Sequence, residues 1–148
     1  MIDASGFNRH SLFGGFSQDD LAKVAHLFEP KSFAAGDLLL TEGEPNNQIF
    51  FLLSGSVRVT RRGLFLIDFR EGDSFGEIEM LDTRPSAATI AALEPATAAC
   101  LSHAGLYALY KLDTRLYSVF MMNLARDLAR RLRRMDELAC GETPSTLP

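Results

Sequence analysis

Short runs of aliphatic and aromatic residues, separated by turns rich in Gly, Asp and Asn, fill residues 33–101 of this chain. Turn clusters such as Gly36-Asp37 and Ser54-Gly55 recur every few residues, and runs this short between turns are typical of strands. The predicted strands are Leu38–Thr41, Ile49–Leu53, Val57–Thr60, Leu64–Phe69, Ala87–Leu93 and Ala96–Leu101. Many short strands joined by glycine-rich turns favour a sandwich, barrel or jelly roll.

Helical spacing appears only on either side of this region. Ser17 can cap a short N-terminal helix that Pro30 would close, because the residue before a proline disfavours the helical conformation. Leu106, Leu109 and Tyr110 predict a second short helix. Residues 116–139 contain no Gly or Pro, and their apolar positions follow steps of three and four: Tyr117, Met121, Leu124, Leu128, Leu132, Met135 and Leu138. This stripe predicts a long amphipathic C-terminal helix.

The chain length and charge fit one compact domain that is not a general nucleic-acid binder. The 148 residues suit a single domain, and 47% apolar with 23% charged residues is ordinary for a globular protein. Residues 1–110 hold eight Lys/Arg against fourteen Asp/Glu, whereas residues 111–139 are net basic. General nucleic-acid binding needs a broad basic surface. The arginines of the C-terminal helix are interpreted as a solvated polar face: Arg126, Arg130, Arg131, Arg133 and Arg134.

The cysteines, the histidines and the short apolar runs argue against a disulfide framework, a metal site and a membrane span. Cys100 and Cys140 form no disulfide framework, and Cys100 is predicted to be a buried free thiol. The three histidines are far apart in sequence, which argues against a metal site. No apolar run reaches the ~18 residues of a membrane span, and the first residues lack the pattern of a signal peptide. A reducing cytoplasm is therefore the expected location.

The segment from Phe75 to Ile90 carries the most chemical information. A Gly76-Glu77 pair opens a short helical turn, predicted over Ile78–Leu81, and small residues begin the following strand. Free N–H groups at a helix start and beside small side chains can hold a phosphate. Glu77 would repel a phosphate, but its carboxylate accepts well from a sugar hydroxyl. Such a site would suit a ribose-phosphate ligand.

This segment resembles the phosphate-binding cassette of the cyclic-nucleotide-binding domain family, which includes catabolite activator proteins and protein kinase A regulatory subunits. The ungapped matches are Phe75, Gly76, Glu77, Pro85, Ala87, Ala88, Thr89 and Ile90. The upstream turn-and-strand order, from Phe33 to Val57, is also similar. The resemblance covers about residues 12–139, including a C-terminal helix at 113–139, and leaves 140–148 as a flexible tail. It implies an eight-stranded jelly roll (β-roll), mainly β, with a short N-terminal and a long C-terminal helix.

The resemblance implies nucleotide-binding residues, and two positions depart from the family pattern. The implied contacts are Phe75, Gly76, Glu77, Ile78, Arg84, Ser86, Ala87 and Thr89. The family's cassette arginine, which pairs with the cyclic phosphate, falls on Ser86, whose hydroxyl donates one neutral hydrogen bond. Losing a charged hydrogen-bond partner costs ~1.5–3 kcal/mol. Arg84, two residues upstream, is a candidate substitute. Glu79 stands where the family usually has a small residue.

Three functional hypotheses follow from the sequence. The first is a stand-alone cyclic-nucleotide sensor, for cAMP more than cGMP, that signals to an unknown effector protein when its C-terminal helix moves. The second is a degenerate copy of this fold that binds no nucleotide and serves as a dimerisation or docking module through residues 113–139. The third, a jelly-roll enzyme such as a cupin, is disfavoured because no His lies between Phe33 and Leu101. Neither an enzyme nor a metal cofactor is expected.

The partner expectations rest on the C-terminal helix. A helix this long exceeds what one small roll needs to cover, so a homodimer through Leu116–Ala139 is expected. In transcription factors of the family this helix continues into a helix-turn-helix, for which no residues remain here. Direct DNA binding and membrane association are therefore not expected.

Overall fold

The computed structural model describes residues 10–141, and these form two four-stranded antiparallel sheets with helices against one of them. The strands are β1 (Glu29–Phe33), β2 (Leu38–Leu40), β3 (Gln48–Ser54), β4 (Ser56–Arg61), β5 (Leu64–Arg70), β6 (Ser74–Phe75), β7 (Thr89–Ala92) and β8 (Ala96–Ser102). The helices are α1 (Gln18–Val24), α2 (Glu77–Asp82), α3 (His103–Leu112) and α4 (Thr114–Ala139). The strand orders are β1-β8-β3-β6 and β2-β7-β4-β5. The predicted eight-stranded, mainly β jelly roll is confirmed.

Two strands lie where the sequence shows no strand pattern. β1 is an edge strand that contains Pro30, and an edge is where a sheet tolerates a residue without an N–H donor. β6 is only two residues long, too short for alternation to be visible. The predicted strand Ala87–Leu93 is narrower in the structure, because pairing begins at Thr89 and ends at Ala92.

The N-terminal helix begins as predicted and ends early. Ser17 and Asp20 form a reciprocal capping box, in which each side chain accepts from the other residue's backbone N–H. The helix ends at Val24, a 3-10 turn follows over Ala25–Leu27, and the chain is already extended at Phe28. The prediction that Pro30 closes this helix is therefore wrong.

The sheet β1-β8-β3-β6 separates two apolar cores, and β3 shows how. Ile49 and Phe51 face the helices, whereas Phe50 and Leu52 face the interior of the roll. This alternation follows from the two-residue period of a strand. Cys100 lies in the roll as a buried free thiol, as predicted, and burial raises its pKa to about 12.

The long helix α4 divides into two halves with different surroundings. Leu116, Phe120 and Leu124 are buried in the helix-side core. In the last turns, by contrast, the apolar stripe is exposed: Leu132, Met135 and Leu138 are each about 60% accessible or more. Of the predicted tail 140–148, all but its first two residues lies outside the described residues. Within residues 10–141, no helix combines the length and apolarity that a membrane crossing requires.

Candidate functional site

The cassette starts at a glycine that the backbone requires. Gly76 links β6 to α2 with a φ of +90°, and a Cβ there would lie 2.6 Å from the carbonyl oxygen of Gln48. The Asn46 side-chain amide holds this turn, since its Nδ2 donates to the carbonyl oxygens of Gln48 at 2.9 Å and Gly76 at 3.0 Å. The position therefore excludes any side chain on steric grounds alone.

Glu77 is the first residue of α2 and is only 2% exposed. Its Oε1 contacts the guanidinium of Arg131 on α4, whereas its Oε2 is buried without a hydrogen-bond partner among the described residues. Burial raises the pKa of the Glu77 carboxyl, and the charge of Arg131 opposes that rise. A buried carboxylate oxygen that lacks a donor is an acceptor site available to a ligand hydroxyl.

Arg131 joins α4 to the roll through three contacts, one of which is with Glu77 of the cassette. Its guanidinium binds Glu77, donates to the carbonyl oxygen of Ser74 at 2.7 Å, and lies 5.7 Å from the ring centre of Phe69. Asp127, one turn earlier on α4, lies 3.7 Å from the same guanidinium. The interpretation of the helix arginines as a solvated face is therefore wrong for Arg131. Periodicity could not identify this residue, because its partner is 54 positions away in sequence.

Ser86 and Glu79 meet at the position where the family's arginine would lie. Ser86 is buried, and its hydroxyl lies 3.2 Å from Oε1 of Glu79 and 2.7 Å from the carbonyl oxygen of Ala88. The backbone N–H of Ala88 also donates to this hydroxyl at 3.4 Å. The sequence identified both residues as departures, and the structure shows that they form a hydrogen-bonded pair.

Arg84 lies on the surface beside this pair. Its backbone N–H donates to Asp82, and its exposed side chain lines a cavity of about 320 Å³. The other lining residues are Pro45, Asn46, Asn47, Glu79, Met80, Thr83 and His103. Glu79 thus lines this cavity while also bonding to Ser86.

The remaining predicted site residues divide between the roll and the surface. Phe75 is buried and stacks between Phe50 and Phe69, with ring centres 5.0 and 5.6 Å away. Thr89 is half-buried, and its hydroxyl accepts from the backbone of Glu42. By contrast, the side chains of two residues are exposed: Ile78 and Ala87. Among residues 10–141, no group of three or more His, Cys, Asp or Glu side chains is arranged to hold a metal ion.

Comparison with known proteins identifies relatives of the same architecture. A cAMP-dependent protein kinase regulatory subunit from Debaryomyces hansenii is 30% identical over 110 residues, which span 67% of this chain and 24% of that protein. The chain therefore spans about a quarter of that relative's length. The catabolite activator protein of Thermus thermophilus superposes with a TM-score of 0.78 at 28% identity, covering 88% of this chain and 62% of that one.

A cyclic nucleotide-binding domain from Methylobacillus flagellatus superposes with a TM-score of 0.83 at 25% identity, covering 97% of this chain and 84% of that one. The model of the cyclic nucleotide-binding domain family matches residues 30–113, more than half of the chain. This matched region contains the whole cassette and all of both sheets except Glu29, the first residue of β1. The chain belongs to the cyclic nucleotide-binding domain family.

Proposed function

We propose that this chain is a regulatory module that binds a cyclic nucleotide, cAMP ahead of cGMP, and signals its occupancy to a partner protein through α4. The relative that supports cAMP is the cAMP-dependent protein kinase regulatory subunit. In this role the chain binds a ligand and catalyses no reaction. Its free cysteines, Cys100 and Cys140, are consistent with a reducing compartment such as the cytoplasm.

The observation that carries this proposal is the state of Glu77. Its Oε2 is buried and unpaired within the described structure, and its Oε1 contacts Arg131, whose guanidinium lies 5.7 Å from the ring centre of Phe69. Leaving a buried acceptor without a donor costs roughly 1–3 kcal/mol. A ribose hydroxyl supplies the missing donor.

Arg131 supplies a route from the ligand to α4. The cation that compensates the buried Glu77 belongs to the C-terminal helix, so any ligand that approaches Glu77 must share or displace Arg131. Ligand binding would then shift the population between two positions of the end of this helix. A partner protein that contacts α4 would detect this change.

Thermal unfolding with millimolar cAMP or cGMP tests the proposal. A ligand at 100 times its dissociation constant stabilises a protein by ~2.7 kcal/mol. Each kcal/mol moves the midpoint by ~2–4 °C in a domain of this size. We expect a shift of several degrees that Glu77→Gln abolishes and that Glu94→Gln, a surface control, retains. Absence of a shift with both nucleotides would reject the sensor function.

A second candidate is a degenerate module that binds no nucleotide and acts in dimerisation or docking through residues 113–139. The specific observation in its favour concerns Ser86. This serine stands where the family pattern has an arginine, and its hydroxyl already bonds to Glu79. Failure of every nucleotide to stabilise the protein, together with a retained partner interaction of α4, would favour this candidate.

The exposed end of α4 supports pairing with a second copy of the chain. Leu128, Leu132 and Met135 follow steps of four and three, the spacing of a helix seam, and the side chains of Leu132, Met135 and Leu138 are exposed. We therefore expect a homodimer in light scattering, and we expect Leu132→Glu to give monomers. Leu93→Glu, which changes an exposed leucine outside α4, is the matched control. A wild-type monomer at high concentration would reject the dimer.

A further inference from the structure

The cavity of about 320 Å³ beside α2 is enclosed by three segments that backbone hydrogen bonds hold together. In the loop between β2 and β3, the carbonyl oxygen of Glu44 accepts from the N–H of Ser86 at 2.8 Å, and the N–H of Gly43 donates to the carbonyl oxygen of Ser86 at 2.9 Å. The carbonyl oxygen of Asn47 in the same loop accepts from the N–H of His103, the first residue of α3, at 2.8 Å. The walls are therefore fixed without a ligand, and small-molecule sites begin at about this volume.

Two side chains of opposite charge line this cavity without pairing with each other. Glu79 accepts from the Ser86 hydroxyl through Oε1, and its Oε2 accepts no hydrogen bond within residues 10–141. Arg84 donates its backbone N–H to Asp82, whereas its guanidinium has neither a hydrogen bond nor an ion pair in the same part of the chain. Both groups can therefore form charge-assisted hydrogen bonds with a ligand.

The lining also includes an apolar surface. Met80 of α2 lines the cavity and is only 2% exposed, and Pro45 lines it from the loop between β2 and β3. A methionine side chain is flexible and polarisable, so it adapts to aliphatic groups of different shapes. A carboxylate, a guanidinium and an apolar surface thus share one small cavity.

We infer that this cavity binds a free α-amino acid with an aliphatic side chain. Arg84 binds the carboxylate of the amino acid, Glu79 binds its ammonium group, and Met80 contacts its side chain. A ligand with a single charge would meet one group of like charge in this lining, so the pair also rejects simple anions and simple cations. Neither Glu77 nor Arg131 lines the cavity, so this site is separate from the contact that carries the proposed function.

Isothermal titration of the purified chain with L-leucine and L-methionine tests this inference. We expect saturable binding of at least one of them, with one site per chain. The amide of that amino acid lacks the carboxylate, its N-acetyl derivative lacks the ammonium group, and glycine lacks the side chain. Each of these three compounds should bind at least about tenfold more weakly, since one charge-assisted hydrogen bond corresponds to roughly ten- to hundredfold in affinity.

Two variants assign the two charges of the ligand to their partners. Arg84→Gln should bind the amino acid no better than its amide, and Glu79→Gln should bind it no better than its N-acetyl derivative. Both variants should fold, because Arg84 is exposed and glutamine at position 79 still offers an oxygen to the Ser86 hydroxyl. Arg133→Gln, which changes an exposed arginine outside the cavity, should leave the affinity for the amino acid unchanged.

The outcomes separate this inference from the proposed function. Absence of saturable binding of both amino acids by the folded wild type would overturn the inference, and so would an affinity that both cavity variants retain. An N-acetyl derivative or an amide that binds the wild type as tightly as the amino acid would also overturn it. The thermal shift with cAMP or cGMP depends on Glu77, so its result leaves this inference unaffected.

Discussion

Replacing Arg131 by Met should destabilise the protein through Glu77, a residue that the substitution does not alter. Arg131 is the cation that contacts the Glu77 carboxylate, and it also binds the carbonyl oxygen of Ser74. Methionine keeps an unbranched apolar side chain but removes the charged guanidinium that lies over Phe69. The variant therefore deprives the Glu77 carboxylate of its cation, although this residue is only 2% exposed and water cannot replace the charge.

The structure sets the size of the effect. Removing one partner of a fully buried ion pair costs ~3–5 kcal/mol, because the other charge stays buried and uncompensated. The Arg131 side chain is 32% exposed, so solvent already screens part of the interaction, and about 2–3 kcal/mol is the reasonable expectation. For a domain of this size, that corresponds to a melting temperature roughly 5–10 °C lower.

A double-mutant cycle in urea isolates this contact from the rest of the helix. The proteins are wild type, Arg131→Met, Glu77→Gln and the double variant, with Arg133→Met as a control on the exposed side of the same helix. We expect a coupling free energy of about 2 kcal/mol at neutral pH and no measurable effect of the control. The loss of Arg131 raises the pKa of Glu77 further, so the deficit of Arg131→Met should shrink as the pH falls through that raised pKa. A coupling below ~0.5 kcal/mol, or a deficit that is independent of pH, would show that Arg131 does not compensate the buried charge of Glu77.

Two further predictions concern His10 and Gly76. Burial lowers the pKa of the His10 imidazole, although the charges of Asp73 and Asp127 oppose this shift. The imidazole therefore binds a proton more readily in the unfolded chain than in the folded one, and stability is lost as the pH falls below 6.5. His10→Phe should reduce the drop in melting temperature between about pH 7.5 and 5.5, and an unchanged drop would contradict this assignment. Gly76→Ala should cost at least ~2 kcal/mol in urea unfolding, since it combines a positive φ with a Cβ 2.6 Å from a carbonyl oxygen. Gly63→Ala has a positive φ but open space around it, and an equal cost in both variants would show that the close contact has no effect.

The sequence allowed the roll to be predicted because its main signals are local. Alternation in β3 separates the two cores, and the cap at Ser17 depends on a residue only three positions away. β1 escaped prediction because its pairing with β8, and not its own composition, makes it a strand. A proline in that segment indicated a helix end, whereas the edge of a sheet accommodates it equally well.

The position of the candidate site could be predicted from the sequence, but the contacts between its residues could be predicted only in part. Gly76 and Glu77 were identified from the cassette pattern, and Ser86 and Glu79 from their departure from it. Their bond to each other and the contact of Arg131 with Glu77 required coordinates, because both depend on how distant segments fold together. An arginine on a polar helix face has the same sequence signature whether it meets water or a buried carboxylate.

The energetics of α4 restrict where a ligand can act on it. Its first half is held by Leu116, Phe120 and Leu124, and burying each such side chain contributes about 1.5–3 kcal/mol. Leu128 packs against the same core, and Asp127 accepts from the Ser11 hydroxyl. Beyond Leu128 the helix contacts the roll through Arg131, a contact worth about 2–3 kcal/mol. A ligand of micromolar affinity has about 8 kcal/mol available. That amount can replace the contacts of Arg131 and still bind, but it cannot also withdraw the core side chains that hold the first half. Movement should therefore begin after Leu128, so that the exposed stripe from Leu132 to Leu138 changes its position while the anchor of the helix stays in the core.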